Sequence, residues 1–123
     1  MIYTSNYSRA CRLDRSRYCL VRISVTKPGW FEQDGAVPAL FPDFGLVQGY
    51  KDGSVSEAAY TERYIAHLNG RETAIRSEIA RAKELAGGRD LVLLCWCAKG
   101  AFCHRRLFAQ WWTEHTGEPV QEL

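Results

Sequence analysis

The stretch Leu91-Val92-Leu93-Leu94-Cys95-Trp96-Cys97-Ala98-Lys99-Gly100-Ala101-Phe102-Cys103-His104-Arg105-Arg106 constrains the chain more than any other. An apolar run of strand length gives way to a small-residue turn and then to an amphipathic segment, which is the pattern of a strand-loop-helix unit. Leu91 to Trp96 is apolar at consecutive rather than alternate positions, as a central strand of a parallel sheet must be when both its faces are covered. The helix that follows is expected from about Cys103 to His115, with Leu107, Phe108, Trp111 and Trp112 as its apolar residues. Thr116-Gly117-Glu118-Pro119 ends it.

The remaining elements follow from period and punctuation. Ile2-Tyr3-Thr4-Ser5 is a short β-branched and aromatic strand that leaves through Asn6. Arg9 to Arg17 is a surface helical turn or two, and Tyr18 to Val25 a second strand. From Thr26 to Gly53, prolines at 28, 38 and 42 and glycines at 29, 35, 45, 49 and 53 break any long period, so a loop with one short helix is expected. Ser54-Val55-Ser56-Glu57 reads as a capping box. It opens a helix through Tyr60, Tyr64, Ile65 and Leu68 that stops at Asn69-Gly70, and a second helix runs from Arg71 to Ala86. Val120 to Leu123 adds an edge strand. This order predicts one domain over residues 1–123 with a small three-layer α/β fold, a mostly parallel, Rossmann-like sheet flanked by helices. Ligands bind such sheets outside the carboxyl ends of the strands.

A hydrophobic content of 46% puts the chain among globular proteins, and a net charge of +2 is too small to predict a large sequence-independent grip on nucleic acid. The first residues lack the charged start and apolar block of a signal peptide, and no apolar run reaches membrane-spanning length. A cytoplasmic protein is expected. The five cysteines, at 11, 19, 95, 97 and 103, are then thiols rather than a disulfide framework.

Reactive types gather at the turn after the central strand. Cys95 and Cys97 share one face because side chains two apart on a strand point the same way. His104, Arg105 and Arg106 occupy the first turn of the last helix, with Lys99 just before it. Cations at that end oppose the helix dipole by about 0.3–1 kcal/mol each. An anion such as a phosphate, held by free amides and these cations, would offset the cost, and so would internal acidic partners. The thiols leave several readings open. Cys103, beside His104, would be a nucleophile or an acid/base pair, as would Cys97. Cys95, Cys97, Cys103 and His104 would alternatively ligate zinc, although a C-x-C followed by adjacent Cys-His is not the usual knuckle spacing. Buried thiols would otherwise simply pack a tight turn.

These residues resemble the family known as domain of unknown function 488, small proteins of bacteria and phages, over nearly the whole chain. The marks are Ile2-Tyr3-Thr4-Ser5-Asn6-Tyr7, Ile23 to Pro28 with Trp30-Phe31, the tyrosine helix Tyr60 to Leu68, and Leu93-Leu94-Cys95 leading to Phe102-Cys103-His104-Arg105. The resemblance implies a compact α/β domain in which the Cys103-His104-Arg105 box matters, and it brings no established activity. Many members carry an acidic residue near the position of Cys97, so the cysteine here is a departure.

The expectation for function is a small-molecule site that binds a phosphorylated or nucleotide-like anion. Thr4, Ser5, Asn6 and Ser24 would supply hydrogen bonds, Lys27, Lys99, Arg105 and Arg106 charge, Trp30 a stacking face, and Cys97 a further contact. If chemistry follows, Cys103 with His104 carries it, as in a hydrolase or transferase. A nucleic-acid or protein binding module using Arg9, Arg12, Arg15, Arg17, Arg22 and Arg105 is the alternative, and a zinc-stabilised structural domain the third. No other cofactor is expected.

Overall fold

Five parallel strands form one sheet in the order β3-β2-β4-β1-β5 in the computed structural model, which describes residues 1–123. They are β1 (Ile2–Asn6), β2 (Tyr18–Arg22), β3 (Gly35–Ala36), β4 (Asp90–Cys95) and β5 (Val120–Glu122). β4 lies in the middle, with Leu91 to Cys95 in register with Ile2 to Asn6 on one side and Asp90 to Leu94 with Tyr18 to Arg22 on the other. Its unbroken apolar run is accounted for by burial on both faces. Leu91 and Leu93 join the larger core, whereas Val92 and Leu94 join the smaller one.

The larger core is roofed by α2 (Phe44–Asp52), α3 (Glu57–Gly70), α4 (Glu72–Ala86) and α5 (His104–Thr116). Ile75, Ile79, Ala82 and Ala86 of α4 and Phe108, Trp111 and Trp112 of α5 are buried there. The other face is covered by the single turn α1 (Tyr7–Ala10) and by Phe31. The structure is thus the expected small α/β fold, with the helical layers unequal in size. No helix is long and apolar enough to cross a membrane.

Several boundaries depart from expectation. The first helix spans Tyr7–Ala10 rather than Arg9 to Arg17, because Asn6 caps it directly, its Oδ1 accepting from Arg9 N at 2.9 Å. β2 ends at Arg22 instead of Val25, where the chain bends and Ser24 Oγ donates to the Thr26 carbonyl. Trp96 is outside β4, which ends at Cys95. Ser56, not Ser54, caps α3 by accepting from Ala59 N at 3.1 Å, while Ser54 Oγ donates to the Gly49 carbonyl.

The largest difference lies in the segment expected to be mostly loop. It holds β3, a 3-10 turn at Pro38–Leu40 and the nine-residue α2, which Asp43 caps. Gly45 and Gly49 lower the helix propensity of α2, the one short helix expected here, so its position was not marked. Gly49 is there for packing, since a Cβ would collide with Val55 Cγ2 and approach Ser54 Oγ at 3.2 Å. Val55 is β-branched and stiff, so it has no easy way to yield. Gly49→Ala is therefore expected to destabilise the protein by about 1–3 kcal/mol in urea unfolding, and a Val55→Ala background should recover part of that loss.

Candidate functional site

A cavity of about 250 Å³ opens at the carboxyl ends of β2 and β4, against the start of α5. Its floor is made by Cys95, Cys97, Cys103 and His104. Ser24, Thr26 and Trp96 form the sheet side, and Phe44, Val47, Gln48 and Lys51 of α2 form the opposite wall with Tyr50, Tyr60 and Phe102. Strand parity puts Cys95 on the α5 side of the sheet, and the turn that follows returns Cys103 to it. The two sulfurs lie 2.8 Å apart.

Arg105 is fully buried and holds this floor together. Its Nε and Nη2 form a bidentate pair with Glu122 of β5, both contacts at 2.9 Å. Nη2 also donates to the Ala98 carbonyl at 3.2 Å. Nη1 donates to the Cys97 carbonyl at 2.7 Å and to Cys95 Sγ at 2.8 Å. All five guanidinium N–H groups are thereby used. Thr4 Oγ1 donates to the same Glu122 carboxylate at 3.0 Å. The anion demanded by cations at the start of α5 is thus supplied from within the protein, by Glu122 and the sulfurs. Arg105 keeps no donor for an external phosphate.

His104 Nε2 lies 2.9 Å from the Ile23 carbonyl, which can only accept, so this nitrogen carries the proton. Nδ1 is left as an acceptor, 3.6 Å from Cys103 Sγ. Burial pushes His104 down to about 4, and the Ile23 bond offsets this only in part. The imidazole is neutral at physiological pH.

The three thiols titrate as one acid with several protons. The neighbouring thiols Cys103 and Cys95, helped by the Arg105 charge, outweigh burial and lower Cys97 from its usual range. Cys103 favours a thiolate on Cys95 by hydrogen bonding, but neighbouring Cys97 and burial push Cys95 up to about 11. Cys103 is raised by its hydrogen bonds to the other two sulfurs and by burial, and keeps its proton. Of the three, Cys97 is the half-buried member.

Cys95, Cys103 and His104 place their ligating atoms within 4.8 Å of one another, and the Ile23 bond orients the imidazole as a metal ligand's second nitrogen commonly is. The donor types fit zinc, but the spacing does not. Two thiolates on a tetrahedral zinc stand about 3.8 Å apart for Zn–S bonds of about 2.3 Å. Here the sulfurs are 2.8 Å apart and the Arg105 cation lies against one of them.

Of the residues expected to bind a ligand, Ser24 and Cys97 line the cavity, as do Cys103 and His104. The others serve elsewhere. Thr4 holds Glu122, Asn6 caps α1, and Ser5 Oγ is buried without a partner. Lys27 Nζ donates to the Phe31 carbonyl at 2.6 Å, and Trp30 packs edge-on against Phe31. Lys99 is exposed on the turn, and Arg106 turns outward to the Gly100 carbonyl at 3.0 Å. The arginines of the alternative binding module are also partly committed: Arg15 pairs with Asp34, and Arg22 lies over the Phe41 ring. Sequence reasoning missed the α2 wall. Its signal was Phe44, Val47, Gln48 and Lys51 at i, i+3, i+4 and i+7, one face of a helix.

A family model described as the active DUF488-N3 subclade matches residues 5–116, and the chain belongs to the DUF488 family. No curated protein and no solved structure matches it.

Two outcomes follow from this geometry. His104 has a folded pKa of about 4, below the unfolded value of about 6.5. Its neutral form thus contributes stability that is complete above the unfolded value and is lost as pH falls towards the folded one. Unfolding free energy should drop by up to about 3 kcal/mol across that window, and His104→Gln should flatten the limb. Protein purified without chelator should contain far less than one equivalent of zinc by mass spectrometry, and its thermal midpoint should not change with EDTA. Stoichiometric zinc together with a midpoint lowered by EDTA would reverse the assignment of the sulfurs.

Proposed function

We propose that this DUF488 protein is a cytoplasmic thiol-dependent enzyme of hydrolase or transferase type acting on a nucleotide-like small molecule. The observation that carries this reading is the grouping of Cys95, Cys97 and Cys103 at the floor of a cavity, with a guanidinium whose every donor is already fixed by the protein bonded to Cys95 Sγ. A structural cysteine needs no such counter-charge, and a thiolate is the form in which cysteine attacks. The free state of all five cysteines fits a reducing compartment.

In the step proposed, Cys97 Sγ attacks the electrophilic atom of the substrate, forming a sulfur–substrate bond while the bond to the leaving group breaks. The leaving group takes the Cys103 proton and departs neutral. Water, or a second acceptor hydroxyl, then cleaves the covalent intermediate, returning the electron pair to Cys97 and a proton to Cys103. Neutral His104 leaves Nδ1 as an acceptor 3.6 Å from Cys103 Sγ, where it can receive that S–H when the proton is not directed at the other sulfurs. Arg105 does not touch the substrate. It holds the charge of the resting thiolate through Cys95 and the carbonyls of the turn. The negative part of a nucleotide-like substrate remains at the rim, where exposed Lys51 lies.

Alkylation by iodoacetamide, read by peptide mass spectrometry, tests the thiolate directly. Cys97 should react at a rate nearly constant from pH 5 to 8, whereas an ordinary thiol of pKa about 8.5 gains about tenfold per pH unit. Cys97→Ser should remove the fast phase. Glu122→Gln, which loosens Arg105 without removing it, should slow labelling at pH 6 by about tenfold or more. A Cys97 rate that climbs with pH like that of glutathione would sink the reading.

A further inference from the structure

The walls of the cavity differ in character from its floor. Ten of its sixteen lining residues are hydrophobic, and its one cationic side chain, Lys51, is exposed. A charged group inside would have to shed its hydration with nothing comparable to replace it. The cavity is also small, about 250 Å³, below the ~300–1,000 Å³ of sites that enclose drug-sized ligands. A dinucleotide does not fit within it, but a single ring system does.

Two of the wall residues are large aromatics left facing solvent, Trp96 at 55% exposure and Phe44 at 57%. Exposed large aromatic rings carry an unmet hydrophobic cost, and their π faces are natural stacking surfaces. Trp96 is held in place despite its exposure. Its Nε1 donates to the Thr26 carbonyl at 3.0 Å and to Thr26 Oγ1 at 3.1 Å, and its ring meets Tyr7 edge-on. Phe44 stands at the start of α2, and Gln48, one turn along, makes no hydrogen bond to the protein. A free carboxamide offers a donor and an acceptor side by side, which matches the adjacent donor and acceptor on the edge of a heterocyclic base.

We infer that the cavity takes one planar, uncharged heteroaromatic ring the size of a nucleobase, stacked against Trp96 and Phe44 with its polar edge read by Gln48. This deepens, and rests on, the reading of the site as one for a nucleotide-like molecule. The ring enters and any phosphate stays outside, which reverses the placement of an anion on the α5 N-terminus. Ring binding needs no sulfur chemistry, so the two can be tested apart.

The experiment is a titration of the intact protein with adenine, guanine, cytosine and uracil, their nucleoside 5′-monophosphates, and inorganic phosphate, read by tryptophan fluorescence and calorimetry. At least one free base should bind and quench Trp96, and phosphate alone should not bind. The matching monophosphate distinguishes the source: tighter binding than the base assigns the ring to a nucleotide, weaker binding to a free base, and either agrees with the inference. Trp96→Ala and Phe44→Ala should each weaken the base about tenfold, the order of one lost stacking contact. Phe44 is exposed, so its variant tests the contact without threatening the fold. Ring binding rests on Trp96, Phe44 and Gln48, so a protein that binds a base while its thiols alkylate at an ordinary rate refutes the enzyme reading and spares this one. Failure of every base to bind, equal affinity in both aromatic variants, or binding of phosphate alone would overturn the inference.

Discussion

A guanidinium with no exposure to solvent sets the terms for the rest of this structure. Moving such a cation out of water costs several kcal/mol, recovered only when every donor is satisfied and an opposite charge lies alongside. Arg105 meets both conditions by drawing on three parts of the chain: Glu122 on the edge strand β5, the carbonyls of Cys97 and Ala98 in the turn after β4, and the sulfur of Cys95 at the end of β4. The three parts belong to different elements, so the guanidinium fixes their relative positions. The turn is short of regular structure, with two of its carbonyls tied to this one side chain. Its shape is therefore set by an electrostatic requirement rather than by backbone ladder bonds.

The same requirement explains which parts of the site were legible in the sequence. The strand-loop-helix unit was visible because a run apolar at every position has few homes in a small α/β fold, and β4 occupies the expected one. That Cys95 and Cys97 belong with Cys103 and His104 followed from strand parity and from the turn that brings α5 back. The dipole argument asked for a negative charge near Arg105, and Glu122 supplies one from within the protein. Glu122 is one acidic residue near the chain end, and nothing in its local pattern marks it as the partner of a residue in the preceding helix. Only the parallel pairing of β5 with β1, which places Glu122 beside Thr4, brings it over the start of α5. The α2 wall was illegible for a different reason. Its glycines answer to the packing of Val55 rather than to helix propensity, so local preference and tertiary need disagree there.

The unequal layers matter to the site. The larger face supplies α2, α3 and α5, and hence the aromatic wall and the thiols. The thinner face contributes through hydrogen bonds at the sheet rim. Tyr7 of α1 reaches Ser24, Ser24 donates to Thr26, and Thr26 fixes Trp96. Loss of α1 packing would therefore be felt at the cavity although α1 does not line it. Ile23 links the two sides, since its carbonyl orients His104 from the end of β2.

Accessibility then decides among the sulfurs. Cys95 and Cys103 are buried, which places them badly to attack a substrate. Cys97 lies past the end of β4, where the chain has left the sheet, and it is the sulfur with part of its surface open. Burial of His104 strengthens this division. A protonated imidazole beside Cys103 would compete with Arg105 for the negative charge and draw it away from the cavity. Kept neutral, His104 leaves Arg105 as the one buried cation at the floor. Of the three thiols beside that cation, the half-buried Cys97 is the one most open to the cavity.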